Sequence, residues 1–408
     1  MKKKVTLRAL FVFAMMSISL TGLTFEIHGQ IVNVETKGQN TRFKKSENAI
    51  PNRYIVILNK NTPQASAESR NSANQLTAQY GGKIDKVFAH AIKGYSVEMS
   101  AKDAEKLSAD SRVEYVEEDA EIYANDIQLN AVWGLDRINQ RTLPLDTYYS
   151  YTSTGSGVHA YVIDSGIRVT HSEFGGRAVA DYDVFNDGQN GIDCFGHGTH
   201  VAGTIGGSTY GVAKNVTLHA VRVLDCNGAG RFSSLVSAVD WITSNHISPA
   251  VVNISISGGG FRTLDSAIKE SIASGVTYAI AAGNNNLDAC DYSPGRTPNA
   301  ITVGATNNLD QRAGYSNYGK CVDIFAPGSY ITSAWLTDDT ATATLSGTSM
   351  AAPHVAGAAA LFLESNPTAS PAMVAEGISN AATIGIIQNL NLNRNSVSPN
   401  KLLYSLWN

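Results

Sequence analysis

The chain has 408 residues, 43% hydrophobic and 16% charged, with 36 glycines and a formal charge of −4 at pH 7. That length admits two or more domains, and the apolar share is ample for a sizeable core. The mild acidity gives no electrostatic case for nucleic acid or an anionic membrane surface as a partner, and neither is expected.

The N-terminus carries Lys2, Lys3, Lys4 and Arg8 and then "ALFVFAMMSISLTGL". A basic start followed by about 15 apolar residues has the pattern of an export signal. It is too short for a membrane anchor, which needs about 20, and no later segment reads as one. Residues 1–30 are therefore assigned to a signal peptide cut between about residues 20 and 31, and a secreted, extracellular protein is expected. Residues 31–52 are polar and patternless and read as a linker. From residue 53 the chain tightens into "RYIVIL", a strand; "SAESRNSANQLTAQYGG", a helix ending on glycines; "IKGYSVEMS", a strand; "AKDAEKLSAD", a helix; and "VEYVEEDAEIYA", a strand. Residues 53–124 thus form a small α+β domain.

Beyond residue 124 lysine nearly vanishes. Apolar runs such as "VHAYVID", "VTLHAVRVL", "AVVNISIS", "VTYAIAA" and "AITVGA" alternate with helical stretches. Near-continuous apolar strands separated by helices predict an α/β fold over 125–408, a mainly parallel sheet with helices on both faces. Ligands of such sheets bind at the carboxyl ends of the strands. The four cysteines, Cys194, Cys226, Cys290 and Cys321, all lie here. An even count in an exported protein favours disulfides, with three pairings open, over metal ligation, for which the spacing is wrong.

Four motifs carry chemistry. "YVIDSGI" ends a buried strand on Asp164, a position suited to work or to an ordinary turn. In "CFGHGTHVAGTIGG", His197 and His200 open a helix of small residues. No third metal ligand is suggested, and Gly196 and Gly198 allow close backbone approach, so one histidine suits a general base and the other a packed neighbour. "AIAAGNNN" runs from a strand into Gly283 and Asn284, a turn former or an amide aimed at a reacting carbonyl. In "LSGTSMAAPHVAG", Pro353 has no N–H to donate toward the carbonyl of Ser349, which puts Ser349 at a helix N-terminus as cap or nucleophile. An Asp, a Gly-flanked His, an Asn and a Ser in these settings are the set required for acyl transfer.

These four motifs, in the chain order Asp, His, Ser, resemble the signatures of subtilisin-like serine proteases. "WGLDRINQRTLPLD", "TYGVAK", "AVRVLDCNGAG", "YSPGR", "YSNYG" and "CVDIFAPG" are similar to the proteinase K branch, and within it to aqualysin-type enzymes. The resemblance implies a serine endopeptidase with Ser349 as nucleophile, His197 as general base and later acid, Asp164 orienting the imidazole, and Asn284 with the Ser349 N–H as oxyanion hole. It implies that residues 53–124 are an inhibitory propeptide, the enzyme's own intramolecular inhibitor, removed near residues 124–127. It implies that protein and peptide substrates lie as an added strand between Gly228, Gly230 and Phe232 on one side and Ser255, Ile256, Ser257 and Gly258 on the other. Ala281, Ala282 and Gly283 would complete the primary pocket, with broad specificity and a preference for bulky apolar or aromatic residues before the cut. Where the family usually reads Ser-Leu-Gly this chain has Ser255-Ile256-Ser257, which leaves the pocket width open.

The resemblance also implies the pairs Cys194–Cys226 and Cys290–Cys321, a monomer, and structural calcium held by the Pro298 and Ala300 carbonyls and the Asp323 carboxylate. A second cation beside Asp136, Gln140 and Asp146 is a further implication, although Asn139 stands where aqualysin-type relatives carry Asp; turn carboxylates are the alternative. Two rival classes remain: a non-catalytic scaffold on the same fold, which an intact triad argues against, and a lipase-like hydrolase, which "GTSMA" and the motif order argue against.

Overall fold

The computed structural model describes residues 42–46, 49–59, 66–120, 126–390 and 397–406, with a strand pair at Leu23–Ile27 and Gln30–Val34. The apolar core of the expected signal peptide, and residues 124 and 125 of the 124–127 stretch where a cut is expected, lie outside the described residues. The chain separates into two compact units, Met1–Ile122 and Tyr123–Asn408.

In the first unit β1 (Phe43–Lys44), β2 (Ala49–Leu58), β3 (Lys83–Phe88), β4 (Gly94–Glu98) and β5 (Val113–Ala120) form one sheet in the order β1-β5-β2-β4-β3. Helices α1 (Ser66–Tyr80) and α2 (Ala101–Ser108) belong to the same unit. Tyr54, Val56, Leu76, Tyr95, Val97, Leu107 and Val116 are its core. Two features differ from the sequence reading. Strand β1 and the start of β2 at Ala49 lie inside the expected linker, as does Ile31–Val34 of the separate strand pair, whose other residues, Leu23–Ile27 and Gln30, lie in the expected signal peptide. Strand β3 was not anticipated: Lys83, Asp85 and Lys86 hide the alternation, as suits an edge strand that must not invite further pairing.

The second unit opens with β6 (Asp126–Leu129), α3 (Trp133–Ile138) and β7 (Tyr148–Tyr151). Its sheet then draws on β8 (His159–Asp164), β9 (Ala178–Asp183), β10 (Thr217–Arg222), β11 (Ala250–Ile254), β12 (Thr277–Ala281), β13 (Ile301–Thr306) and β14 (Ile324–Pro327). A hairpin, β15 (Ile331–Ala334) with β16 (Thr342–Leu345), lies outside the sheet. Two short strands, β17 (Thr383–Ile384) and β18 (Lys401–Leu402), complete the sheet in the order β9-β10-β8-β11-β12-β13-β14-β18-β17, parallel from β9 to β18 and antiparallel only at β17. Helices α4 (His197–Gly206), α7 (Thr348–Ser365) and α8 (Pro371–Ala381) pack into one core cluster, and α5 (Phe232–Asn245) and α6 (Arg262–Ala273) into another, so both faces are covered as expected.

Helix α7 is apolar nearly all round, which is the signature of a buried helix. Among residues 348–361 only Ser349 is not fully buried. Both expected disulfides are formed, Cys194–Cys226 with Cα atoms 4.9 Å apart and Cys290–Cys321 with 5.3 Å.

Candidate active site

Three strand ends and two helix starts converge. Asp164 is the last residue of β8, Ser255 follows β11, and Asn284 follows β12, while His197 opens α4 and Ser349 is the second residue of α7. This is the carboxyl edge of a parallel sheet, where such folds hold their ligands.

The close approach of α4 to β8 needs a glycine. A Cβ on Gly198 would stand 2.1 Å from the Gly166 carbonyl oxygen and 3.2 Å from Asp164 Cβ. Within that approach His197 Nδ1 meets both carboxylate oxygens of the fully buried Asp164, at 2.8 and 2.9 Å. Burial works against protonating His197, but the charge and hydrogen bond of Asp164, with Asp193 behind them, outweigh it and raise its pKa above the ordinary 6.5. His200 is the packed neighbour: its Nε2 faces the carbonyls of Ile331 and Ala343 at 3.0 and 3.2 Å, and burial pushes its pKa down to about 4. A metal shared by the two histidines has no support, since among the described residues no three His, Cys, Asp or Glu side chains are grouped to hold one.

Ser349 is not a helix cap. The N-cap is Gly347, with no side-chain cap bond, and Ser349 Oγ donates to the Ser255 carbonyl at 3.0 Å. No hydrogen bond joins it to His197 among the described residues. The carbonyl of Ser349, left without an intrahelical donor by Pro353, accepts instead from Ser255 Oγ at 2.8 Å, and Asn253 Nδ2 donates to that hydroxyl at 2.9 Å. Proline thus frees an acceptor that pins the helix start to the end of β11.

Asn284 is oriented rather than free to turn. Its Oδ1 accepts from Thr348 N at 2.8 Å and Thr348 Oγ1 at 2.9 Å, while Thr348 Oγ1 accepts from Gly283 N at 3.1 Å. With the amide oxygen held there, the two N–H donors of Nδ2 must point away from Thr348. Thr348 and Asp193 are the supporting residues that the motif reading did not single out. Asp193 accepts from Phe195 N, Gly196 N, Ser165 Oγ, Thr199 N and Thr199 Oγ1, and Ser165 Oγ accepts from Gly198 N, so one buried carboxylate sets the loop ahead of His197. Its sequence signal was only its place three residues before Gly196.

The expected substrate residues fall into two cavities. One of about 400 Å³ adjoins Ser349 and Asn284 and is lined by Ser255, Ser257, Gly258 and Ala281. The other, of about 280 Å³, is lined by Gly228, Gly230, Phe232, Ile256, Ser257 and Gly258, with the Phe232 ring stacked on Phe261 at 4.4 Å. Ala282 does not face the first cavity: its side chain lies in a separate core cluster with Phe325 and Leu402. Gly283, at φ 101°, is the turn that carries the chain from β12 to Asn284.

For a cation, Asp323 and Ala300 line a cavity of about 720 Å³, with Asn299 between Pro298 and Ala300 at φ 70°. Solvent reaches Asp323, yet the surrounding protein partly desolvates it and raises its pKa, against one backbone bond from Thr302 N at 2.8 Å and the charge of Lys401. An under-compensated carboxylate beside a sharply turned loop fits a hard cation. The Asp136 set fits less well. Its oxygens accept from Thr147 N and Asp146 N, Gln140 Nε2 donates to Thr142 O and Pro144 O, and Asp146 Oδ1 accepts from Tyr148 N, so these side chains serve the turn.

Fold and site together define a hydrolase of the serine type. Residues 155–400 match the family model "Subtilase family" and residues 53–125 match "Peptidase inhibitor I9". The chain is 52% identical over 373 residues to an extracellular serine proteinase of Thermus sp. (strain Rt41A), covering 88% of this chain and 90% of the relative. It is 47% identical to alkaline serine exoprotease A of Vibrio alginolyticus, covering 88% of this chain and 68% of that one. A crystal structure of a cold-adapted subtilisin-like serine proteinase superposes with a TM-score of 0.65 at 51% identity, over 68% of this chain and all of the other. The chain belongs to the subtilase family; it is a serine endopeptidase with an I9-type inhibitor domain ahead of its peptidase domain.

Proposed function

We propose that the protein is exported as an inactive precursor and hydrolyses peptide bonds through an acyl-enzyme on Ser349. The observation that carries this reading is the paired contact of His197 Nδ1 with the buried Asp164 carboxylate, beside Ser349, the one position at the start of α7 that is not fully buried. Asp164 fixes the tautomer that leaves His197 Nε2 as the base. Rotation about χ1 takes the Ser349 hydroxyl from the Ser255 carbonyl toward that nitrogen. Ser349 Oγ then bonds to the substrate carbonyl carbon while its proton passes to His197. The oxyanion is held by Asn284 Nδ2 and the Ser349 N–H. Collapse expels the amine, which takes the proton from His197, and water repeats the sequence to release the acid.

The substrate backbone would lie against residues 228–232 and 255–259, giving broad specificity with an apolar residue before the cut. The first unit would inhibit the second until cleavage within residues 124–127. Export is supported by the basic and apolar N-terminus, by the two disulfides, and by the extracellular Thermus relative. Structural calcium would be held by the Pro298 and Ala300 carbonyls and Asp323; it supplies charge that ties strand ends together, and no step of hydrolysis passes through it.

Ser349→Ala in the full chain is expected to lower casein turnover by about 10⁶-fold and to leave the precursor uncut. Casein hydrolysis by that variant at the parent's rate would overturn the assignment.

A further inference from the structure

The second cavity has an apolar lining of Val223, Leu224, Leu235 and Ile256, and Arg231 stands at it as the one charged residue. The Phe232 ring in that lining stacks on Phe261, and Arg262 follows Phe261 at the start of α6. A Cβ built on Gly260 would meet Arg296 Nη1 at 2.3 Å and Cζ at 2.7 Å, so a third guanidinium lies against the same segment.

These arginines gather about the Phe232–Phe261 end of the cavity in a chain whose net charge is −4. Arg296 is paired with Asp265 at 2.7 Å. The carboxylate of Asp225, on the opposite bank, is turned into its own loop, where it accepts from Asn227 N at 2.8 Å and Ala229 N at 3.0 Å. Arg231 and Arg262 are exposed and make no hydrogen bond or ion pair among the described residues. Neither serves its helix, because Arg231 caps α5 by position without a side-chain bond, Arg262 opens α6, and a helix dipole disfavours a cation at either place. Three guanidinium charges thus face the single carboxylate of Asp265. A substrate strand that puts an apolar side chain into this cavity carries its next residue, further from the cut, past the excess positive charge.

We propose that Arg231, with Arg262 and Arg296, selects an acidic side chain in the substrate, one residue further from the cut than the apolar side chain in the second cavity. This rests on the acyl-enzyme reading of Ser349 and adds to its broad specificity a preference remote from the cut. The chain's own expected cut carries the matching pattern. Within residues 124–127 the middle bond joins Asn125 to Asp126, which makes Ile122 the fourth residue before the cut and Glu121 the fifth. Glu117, Glu118 and Asp119 extend the acidic run behind it.

The test uses the mature enzyme, produced from the full chain, on the peptides acetyl-X-Ile-Tyr-Ala-Phe-p-nitroanilide with X as Glu, Gln or Lys. At low salt the parent is expected to show a kcat/KM about threefold higher for Glu than for Gln, the scale of an exposed ion pair, and about tenfold higher for Glu than for Lys. In about 1 M NaCl, where the screening length falls to about 3 Å, the Glu/Lys ratio should approach one. Arg231→Glu should lower the low-salt Glu/Lys ratio by about tenfold, whereas a purely structural disturbance of the segment would scale all three peptides together. A Glu/Lys ratio that Arg231→Glu leaves within about twofold of the parent's overturns the inference alone, as does failure to hydrolyse the Glu peptide by an enzyme that a fluorophosphonate still labels at Ser349. A parent that neither hydrolyses the peptides nor is labelled overturns the acyl-enzyme reading and this inference with it.

Discussion

In the proposed mechanism His197 meets two opposed demands: it must be neutral to take the Ser349 proton and is then stabilised as a cation. Burial opposes the cation and Asp164 favours it, and the net effect raises the pKa above 6.5. Since only the neutral ring is a base, kcat/KM is expected to rise with pH through a limb above 6.5. In Asp164→Asn the charge is gone while burial stays, so the limb should move below its position in the parent, and turnover should fall about 10⁴-fold. A pH profile of peptide hydrolysis measures both, and a limb that does not move would refute the role of Asp164. Asp164, His197, Asn284 and Ser349, the residues proposed for catalysis, could be singled out in the sequence because each sits in a short motif whose residue types such chemistry demands. Thr348 and Asp193 could not, because their work is done by hydrogen bonds across loops, such as Thr348 to Asn284 at 2.8 Å, that no local pattern announces.

At the scale of elements, the site depends on how closely α4 and α7 approach the strand ends. Gly198 is where that distance is set. In Gly198→Ala the new methyl would meet the Gly166 carbonyl oxygen at 2.1 Å, so α4 must withdraw from β8 and draw His197 off Asp164. Overpacking of this kind costs about 1–3 kcal/mol. The variant is expected to unfold at a lower temperature and to lose most of its casein hydrolysis. Gly314→Ala serves as the control: no atom lies within 4 Å of its added Cβ. Equal melting temperatures for the two variants would show that α4 does not need that approach. The five parallel strands β8 and β10 to β13, with helical stretches between them, were legible from their apolar runs, whereas the edge strand β9, "AVADYD", is largely polar and exposed and was not singled out. The edge strand β3 was not, since an exposed edge carries charge where a central strand carries valine and isoleucine.

Across the whole molecule, covalent and ionic ties hold loops that the sheet itself does not order. The cysteine count left three pairings, and only the folded chain or a resemblance could choose among them. Cys194–Cys226 links the loop before His197 to the segment before Gly228, closing 32 residues, which contributes about 3.5 kcal/mol in the chain-entropy model. The proposed calcium would act in the same way at the other end of the sheet. Asp323 precedes β14, and Pro298 and Ala300 precede β13, so one cation would join two neighbouring strand starts beside α8. Binding only to the folded state stabilises it by about 2.7 kcal/mol when free calcium is 100 times its dissociation constant. A chelator is therefore expected to lower the temperature of thermal inactivation of the parent. Asp323→Ala should start from the lower temperature and respond little to chelator, and calorimetric titration should show weaker calcium uptake. Lys401 makes the comparison decisive, because its charge already offsets part of the carboxylate. If that charge alone were sufficient, Asp323→Ala would change the inactivation temperature equally with and without chelator, and the calcium assignment at Asp323 would fall.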